Sequence, residues 1–202
     1  RSNLQTPQDF EAAAALAPVT GSQALFSRCR RPPFTSVSVY PAFIGDVNAI
    51  ANDSSYSFAD GSTCWQPQNE QNIAVNPKDP NNVVTSANDY RDDFVHCFAY
   101  VSTNGGSSWT NVMLPGWDKV WGSAGVMARY PCGGDPVLAF APNGNLYFAA
   151  LTYAKGKSGL AVAKSTDGGL TWQAPVLVTY SSNAYTFHDK EWIGVGPNGR
   201  VY

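Results

Sequence analysis

The chain has 202 residues, 44% of them hydrophobic and 13% aromatic, enough to bury a substantial core. Only 14% are charged and the net charge is −2, which offers no basic stripe to nucleic acid. No apolar run approaches the ~20 residues that a membrane-crossing helix needs.

Low charge with abundant Asn, Ser, Thr, Tyr and Trp fits an exported, β-rich protein. The four cysteines (Cys29, Cys64, Cys97 and Cys132) are even in number and lack C-x-x-C spacing, which favours disulfides over a zinc site. No signal peptide opens the chain, so an extracellular protein is expected here in mature form.

Residues 1–63 read as an irregular N-terminal segment. Thr6-Pro7-Gln8-Asp9 has the chemistry of a helix start, and Phe10 to Leu16 has good helix propensity until Pro18 stops it. One short helix is expected there. Thr35 to Tyr40 alternates as a strand does. Asn52-Asp53-Ser54 is an N-glycosylation sequon.

From residue 64 to 202 the chain repeats. Glu70 to Pro77 reads as a strand ending in a proline turn, followed by a strand over Asn82 to Ala87. The unit returns as Asp135 to Pro142, Asn143-Gly144-Asn145 and Leu146 to Ala150, and again as Lys190 to Pro197, Asn198-Gly199-Arg200 and Val201-Tyr202. Pro-Asn-Gly between apolar runs predicts a hairpin turn. Twenty-five residues after Pro77 comes Ser102-Thr103-Asn104-Gly105-Gly106-Ser107-Ser108-Trp109. Twenty-three residues after Pro142 comes Ser165-Thr166-Asp167-Gly168-Gly169-Leu170-Thr171-Trp172. Each combines glycines for positive-φ positions with hydroxyl and Asn or Asp groups that can bind turn amides. A large ring then follows for burial, and both tryptophans are expected to be buried at equivalent places.

The pattern S-x-D-x-G-x-T-W resembles the Asp-box, or BNR repeat, of the sialidase-like β-propellers. In that family the box is a structural turn joining the third and fourth strands of a four-stranded blade. The resemblance implies an all-β partial β-propeller, with two complete blades and a third cut short within residues 64–202. A ring closes with typically 4–8 blades, so the remaining blades are expected from the same chain or another.

In such a propeller the first strand of each blade lines the central channel. Glu70, Asp135 and the pair Asp189 and Glu191 open these strands and form the candidate ligand site. They are either a carboxylate cluster at the channel mouth or caps that satisfy local amides and pair with bases such as Lys190. The resemblance adds Arg91 as a sugar-contacting residue, and Asp92 or Asp93 as an acid/base, in the loop after the second strand. Against catalysis, the stretch Trp65 to Glu70 lacks the arginine that the family carries at its first inner strand. His96 and His188 lack partners at metal-ligand spacing, and no phosphate-cradling loop, nucleophile elbow or H-E-x-x-H is present; neither metal nor cofactor is expected.

Up-and-down blade topology puts Cys97 and Cys132 at one rim, so they are expected to pair, leaving Cys29 with Cys64, although four cysteines allow three pairings. Two functional readings stand. One is a secreted, non-catalytic propeller that binds a glycan or a protein or builds a surface assembly. The other is an exo-acting glycoside hydrolase of the sialidase type. Neither a nucleic-acid partner nor a membrane span is expected.

Overall fold

A computed structural model describes residues 55–57, 63–65, 68–89, 95–117, 127, 129–154 and 156–202. The expected N-terminal helix and the strand at 35–40 lie outside these residues, as do Cys29, Arg91, Asp92, Asp93 and the side chain of Cys64. Strands β1 (Ser55–Ser57) and β2 (Thr63–Trp65) form a small antiparallel hairpin with Tyr56 opposite Cys64. This hairpin belongs to a different compact unit from the residues that follow Gln66.

The larger unit holds two antiparallel sheets of the same design. The first runs β3 (Gln68–Asn76), β4 (Asp79–Asp89), β5 (His96–Ser102) and β6 (Thr110–Met113), each strand pairing with the next. The second repeats that order with β7 (Cys132–Phe140), β8 (Leu146–Ala154), β9 (Lys157–Ser165) and β10 (Val176–Ser181). The described residues are thus all-β, and each sheet is a four-stranded up-and-down meander, the form of a propeller blade. Alternation sets which face is buried: Asn82, Val84 and Ser86 of β4 are buried while Val83 and Thr85 are only half-buried. Strand β5 is buried along its whole length, as a central strand covered on both faces must be.

The proline turns form as the spacing predicts. In the second sheet the Gly144 amide donates to the Ala141 carbonyl at 2.9 Å, with Gly144 at φ 88°. The third turn repeats this arrangement, Gly199 donating to Gly196 at 2.9 Å with φ 77°. Beyond it only a single antiparallel bridge, Val195 to Val201, begins a third sheet.

The core lies between the two sheets. Val84, Ala99 and Val101 meet Leu138, Leu146, Phe148, Ala161 and Ala163. Phe148 is completely buried and takes two edge-on rings, Trp117 at 5.5 Å and Trp172 at 5.7 Å between centroids. Each such side chain contributes about 1.5–3 kcal/mol by leaving water. Polar and covalent ties reinforce the apolar layer. The Asn72 side-chain oxygen accepts from the Leu138 amide at 2.9 Å. A Cys97–Cys132 disulfide joins β5 to β7 across a Cα separation of 5.8 Å, the pairing expected from topology.

The two eight-residue turns follow β5 and β9. In the first, the Ser102 hydroxyl donates to Asn104 Oδ1 at 2.9 Å and accepts the Gly106 amide at 2.8 Å. The second does the same with Ser165, Asp167 and Gly169, at 2.8 Å for both bonds. Trp172 is buried, as expected. Trp109 is only partly buried, over Ala87, Phe98 and Tyr100, because the sheet that covers Trp172 has no counterpart over Trp109 among the described residues.

Candidate functional site

Among the described residues, three other than glycine adopt left-handed backbone: Glu70 at φ 54°, Asp135 at φ 52° and Lys190 at φ 54°. Each stands seven residues before its repeat's turn proline, at Pro77, Pro142 and Pro197. Such a conformation costs on the order of 1–3 kcal/mol and persists only where the surroundings enforce it. The same bend therefore recurs in all three repeats, at register shifts within β3 and β7 and ahead of the Val195 bridge, and it gathers the three side chains. Lys190 Nζ lies 3.2 Å from Glu70 Oε2 and 3.3 Å from Asp135 Oδ2. Hydrogen bonds to Glu70 and then Asp135 raise the Lys190 pKa above the usual lysine value. All three side chains reach solvent, so the ion pairs add little stability.

The sequence named Glu70 and Asp135 as the residues that open their strands, with Asp189 and Glu191 as their third-repeat counterparts; the strands begin earlier, at Gln68 and Cys132. In the third repeat the equivalent residue is Lys190, between Asp189 and Glu191. Asp189 is exposed, and its Oδ1 accepts the Lys190 amide at 3.0 Å. Glu191 turns the other way. Both its carboxyl oxygens are shut off from solvent, and no hydrogen bond of ordinary geometry reaches either. Burial first, with Asp135 and Asp189 adding repulsion, pushes its pKa up to about 7.

Asn88, at the end of β4 and the first residue of the polar stretch Asn88 to Asp93 that the sequence singled out, has a supporting role that the sequence did not assign to it. Its side-chain oxygen accepts the Asp135 amide at 2.5 Å, and its Nδ2 donates to Asp135 Oδ1 at 3.1 Å. A buried amide from the first sheet thus sets the backbone that opens the second. Gly134 makes room for it: at φ 110°, a Cβ there would lie 2.6 Å from Asn88 Oδ1. Asn88 opens the polar loop singled out for Arg91, Asp92 and Asp93, which themselves lie outside the described residues. Next to it, Asp89 is fully buried and accepts a short hydrogen bond from the Tyr100 hydroxyl.

The histidines are held in the fold. His96 is buried on β5 with its ring edge-on to Phe98 at 6.3 Å. His188 Nδ1 lies 3.0 Å from Ser158 Oγ, which also accepts the His188 amide at 3.0 Å and donates to the Thr186 carbonyl at 3.1 Å. Ser158, buried on β9, so fastens the 182–189 loop to the second sheet. Among the described residues, no three His, Cys, Asp or Glu side chains converge in a metal-holding arrangement.

The rim therefore presents two carboxylates and one ammonium to solvent on fixed backbone. Acceptors flank a donor there, a pattern suited to hydroxyl groups or to a partner's polar side chains.

No family profile and no curated protein sequence matches the chain. Two solved structures are similar to it at low identity. One is an α-L-arabinofuranosidase of glycoside hydrolase family 93 from Fusarium graminearum, in complex with arabinobiose. It shares 15% identity at a TM-score of 0.42, over 64% of this chain and 34% of that one. The other is a protein of unknown function from Dyadobacter fermentans, with 13% identity, a TM-score of 0.38, and coverage of 71% and 35%. The chain spans about a third of the length of either structure.

Proposed function

We propose that this chain is part of a sialidase-like, extracellular β-propeller that binds a glycan, or the polar surface of a protein, at the rim formed by Glu70, Asp135 and Lys190. The observation that carries this reading is the convergence of one residue from each of three repeats, all on the same left-handed backbone, at one solvent-facing place. Strain repeated at equivalent positions is a mark of a functional surface. The two Ser-x-Asn/Asp-x-Gly turns act as Asp-boxes, structural rather than ligand-bearing. The Cys97–Cys132 disulfide fits an oxidising compartment, and no helix among the described residues is long and apolar enough to cross a membrane.

The alternative is exo-acting glycoside hydrolysis. In its favour, Glu191 has the raised pKa of a general acid and sits near the Asp135 and Asp189 carboxylates. Against it, the Glu191 oxygens are buried out of reach of a substrate. Binding is the better supported of the two.

The test is a glycan-array screen of the full chain, followed by calorimetric titration of any ligand found and a fluorogenic sialoside assay. Lys190→Met should weaken binding about tenfold, the worth of one charge-assisted hydrogen bond. Equal affinities for the wild type and Lys190→Met would refute the rim as the site. Turnover of the sialoside, abolished by Glu191→Gln, would favour the hydrolase.

A further inference from the structure

The third repeat touches the second sheet through a short segment of mixed character. Ile193 is buried against Val137 and Ala149, an apolar anchor of the kind expected where one blade covers the next. Two residues earlier, at the place where a second anchor would sit, the chain carries Glu191. Its two oxygens are buried without a hydrogen-bond partner, which is costly for a charged carboxylate and tolerable for a neutral one.

We propose that the third repeat's first strand is held to the second sheet by a proton-dependent latch at Glu191, docked while the carboxyl is neutral and released when it ionises. The inference concerns the docking of the strand and stands whether or not the rim binds a ligand.

The surroundings offer the ionised form little. Strand β7 brings Asp135, which repels it, and Asp189 on its own segment repels it too. Strand β8 (Leu146–Ala154) carries no acidic or basic residue. Lys190, the adjacent cation, has its Nζ on Glu70 and Asp135. The backbone amides of Glu191 and Leu151 offset only part of the burial. The carboxyl consequently titrates near 7 when docked, against an ordinary 4.5. Its folded pKa is raised, so the docked strand holds a proton that the released strand has lost. Docking is strongest at or below about pH 4.5, weakens as pH rises towards 7, and changes little above that. Lys190 travels with the same segment, so its bridge between Glu70 and Asp135 is lost in the same transition.

The chain contains three glutamates, Glu11, Glu70 and Glu191, which makes a direct measurement practical. Protein labelled with carbon-13 at the glutamate carboxyl carbon should show one resonance titrating near pH 7, and Glu191→Gln should remove that resonance. Release is read by the rate of trypsin cleavage between Lys190 and Glu191, divided by the rate for a synthetic peptide of residues 185–196 at the same pH. That ratio should rise by roughly 70-fold from pH 5 to pH 8 in the wild type, the change that pKa values of about 7 docked and 4.5 released require. It should stay level in Glu191→Gln against its own peptide. Three glutamate resonances all titrating between about pH 4 and 5 would overturn the proposal. So would a wild-type cleavage ratio that does not change with pH, or a pH response that survives in Glu191→Gln. The resonance and the wild-type cleavage need no variant, so the proposal stays testable even if Glu191→Gln does not fold.

Discussion

The two eight-residue turns share a hydrogen-bond pattern and differ in everything outside it. Ser102 and Ser165 each cap the glycine amide four residues on at 2.8 Å, and Asn104 and Asp167 each accept the amide four residues on at 2.9 Å. Around the second turn the first sheet closes in. Asn82 Nδ2 donates to the Gly168 carbonyl at 3.0 Å, Val84 and Val101 pack beside Gly169, and Trp172 is buried with its indole N–H on the Gly169 carbonyl at 2.8 Å. The first turn has no such neighbour among the described residues. Gly105 is exposed, and the Trp109 indole nitrogen is enclosed without an acceptor. A local motif can thus be complete as chemistry and still owe its burial to the blade beside it.

The largest effect should separate the two tryptophans. Trp172→Ala should cost about 3–5 kcal/mol, the usual range for a large buried ring. Trp109→Ala should cost only ~1–2 kcal/mol, in proportion to its partial burial. Urea unfolding of both variants checks this, and equal losses would erase the distinction between the turns.

Next come the glycines. A Cβ on Gly168 would lie 2.5 Å from Asn82 Oδ1, whereas at Gly105 the nearest atom is 3.7 Å away. Both have positive φ, so both alanine variants carry the backbone cost of about 1–2 kcal/mol. Gly168→Ala should lose a further ~1–3 kcal/mol from overpacking and the disturbed Asn82 bond. Thermal melting of the pair tests this, and a Gly105→Ala loss as large as that of Gly168→Ala would contradict it.

The smallest effect concerns Asp167 and Asn104. Burial alone would raise the Asp167 pKa, but hydrogen bonds from the Thr171 hydroxyl and amide, and from Ser165, bring it below the usual value. A depressed folded pKa means a contribution present above the unfolded value of about 3.8 and lost as pH falls through the folded one. Asp167→Asn should make the second turn resemble the first, where Asn104 Nδ2 donates to Ser108 at 2.8 Å, at a cost under about 1 kcal/mol near pH 7. The difference between wild type and variant should shrink as the pH falls from about 3.8 through the lowered folded value. A difference that does not shrink would show that the charge of Asp167 is not what distinguishes the turns.

Much of the fold was legible because it is written in short-range patterns. Proline turns, Asp-Gly-Gly and Asn-Gly-Gly turns and period-2 runs name strands and their order, and the order alone puts Cys97 and Cys132 at one rim. The site was legible in part. Glu70 and Asp135 stood out as repeated carboxylates opening equivalent strands, but the third counterpart is a lysine flanked by two acids. Residue type pointed to the acids, although the spacing to the turn proline already aligned Lys190 with Glu70 and Asp135, and the left-handed backbone follows the spacing. Asn88 stood out as the start of a polar loop, but its hold on Asp135 was hidden, because that contact lies 47 positions away.

By itself the sequence determined the turns, the four-stranded meanders and the periodic placement of polar residues, because the turns are made within a few residues and each strand pairs with the next one across them. Tertiary structure alone decided which of two similar turns is buried, which of three consecutive charged residues reaches the rim, and that the Glu191 carboxyl is enclosed. These outcomes depend on how one sheet packs on the next. Burial and pKa are properties of the space a side chain shares with distant segments, and that space exists only once the sheets have stacked.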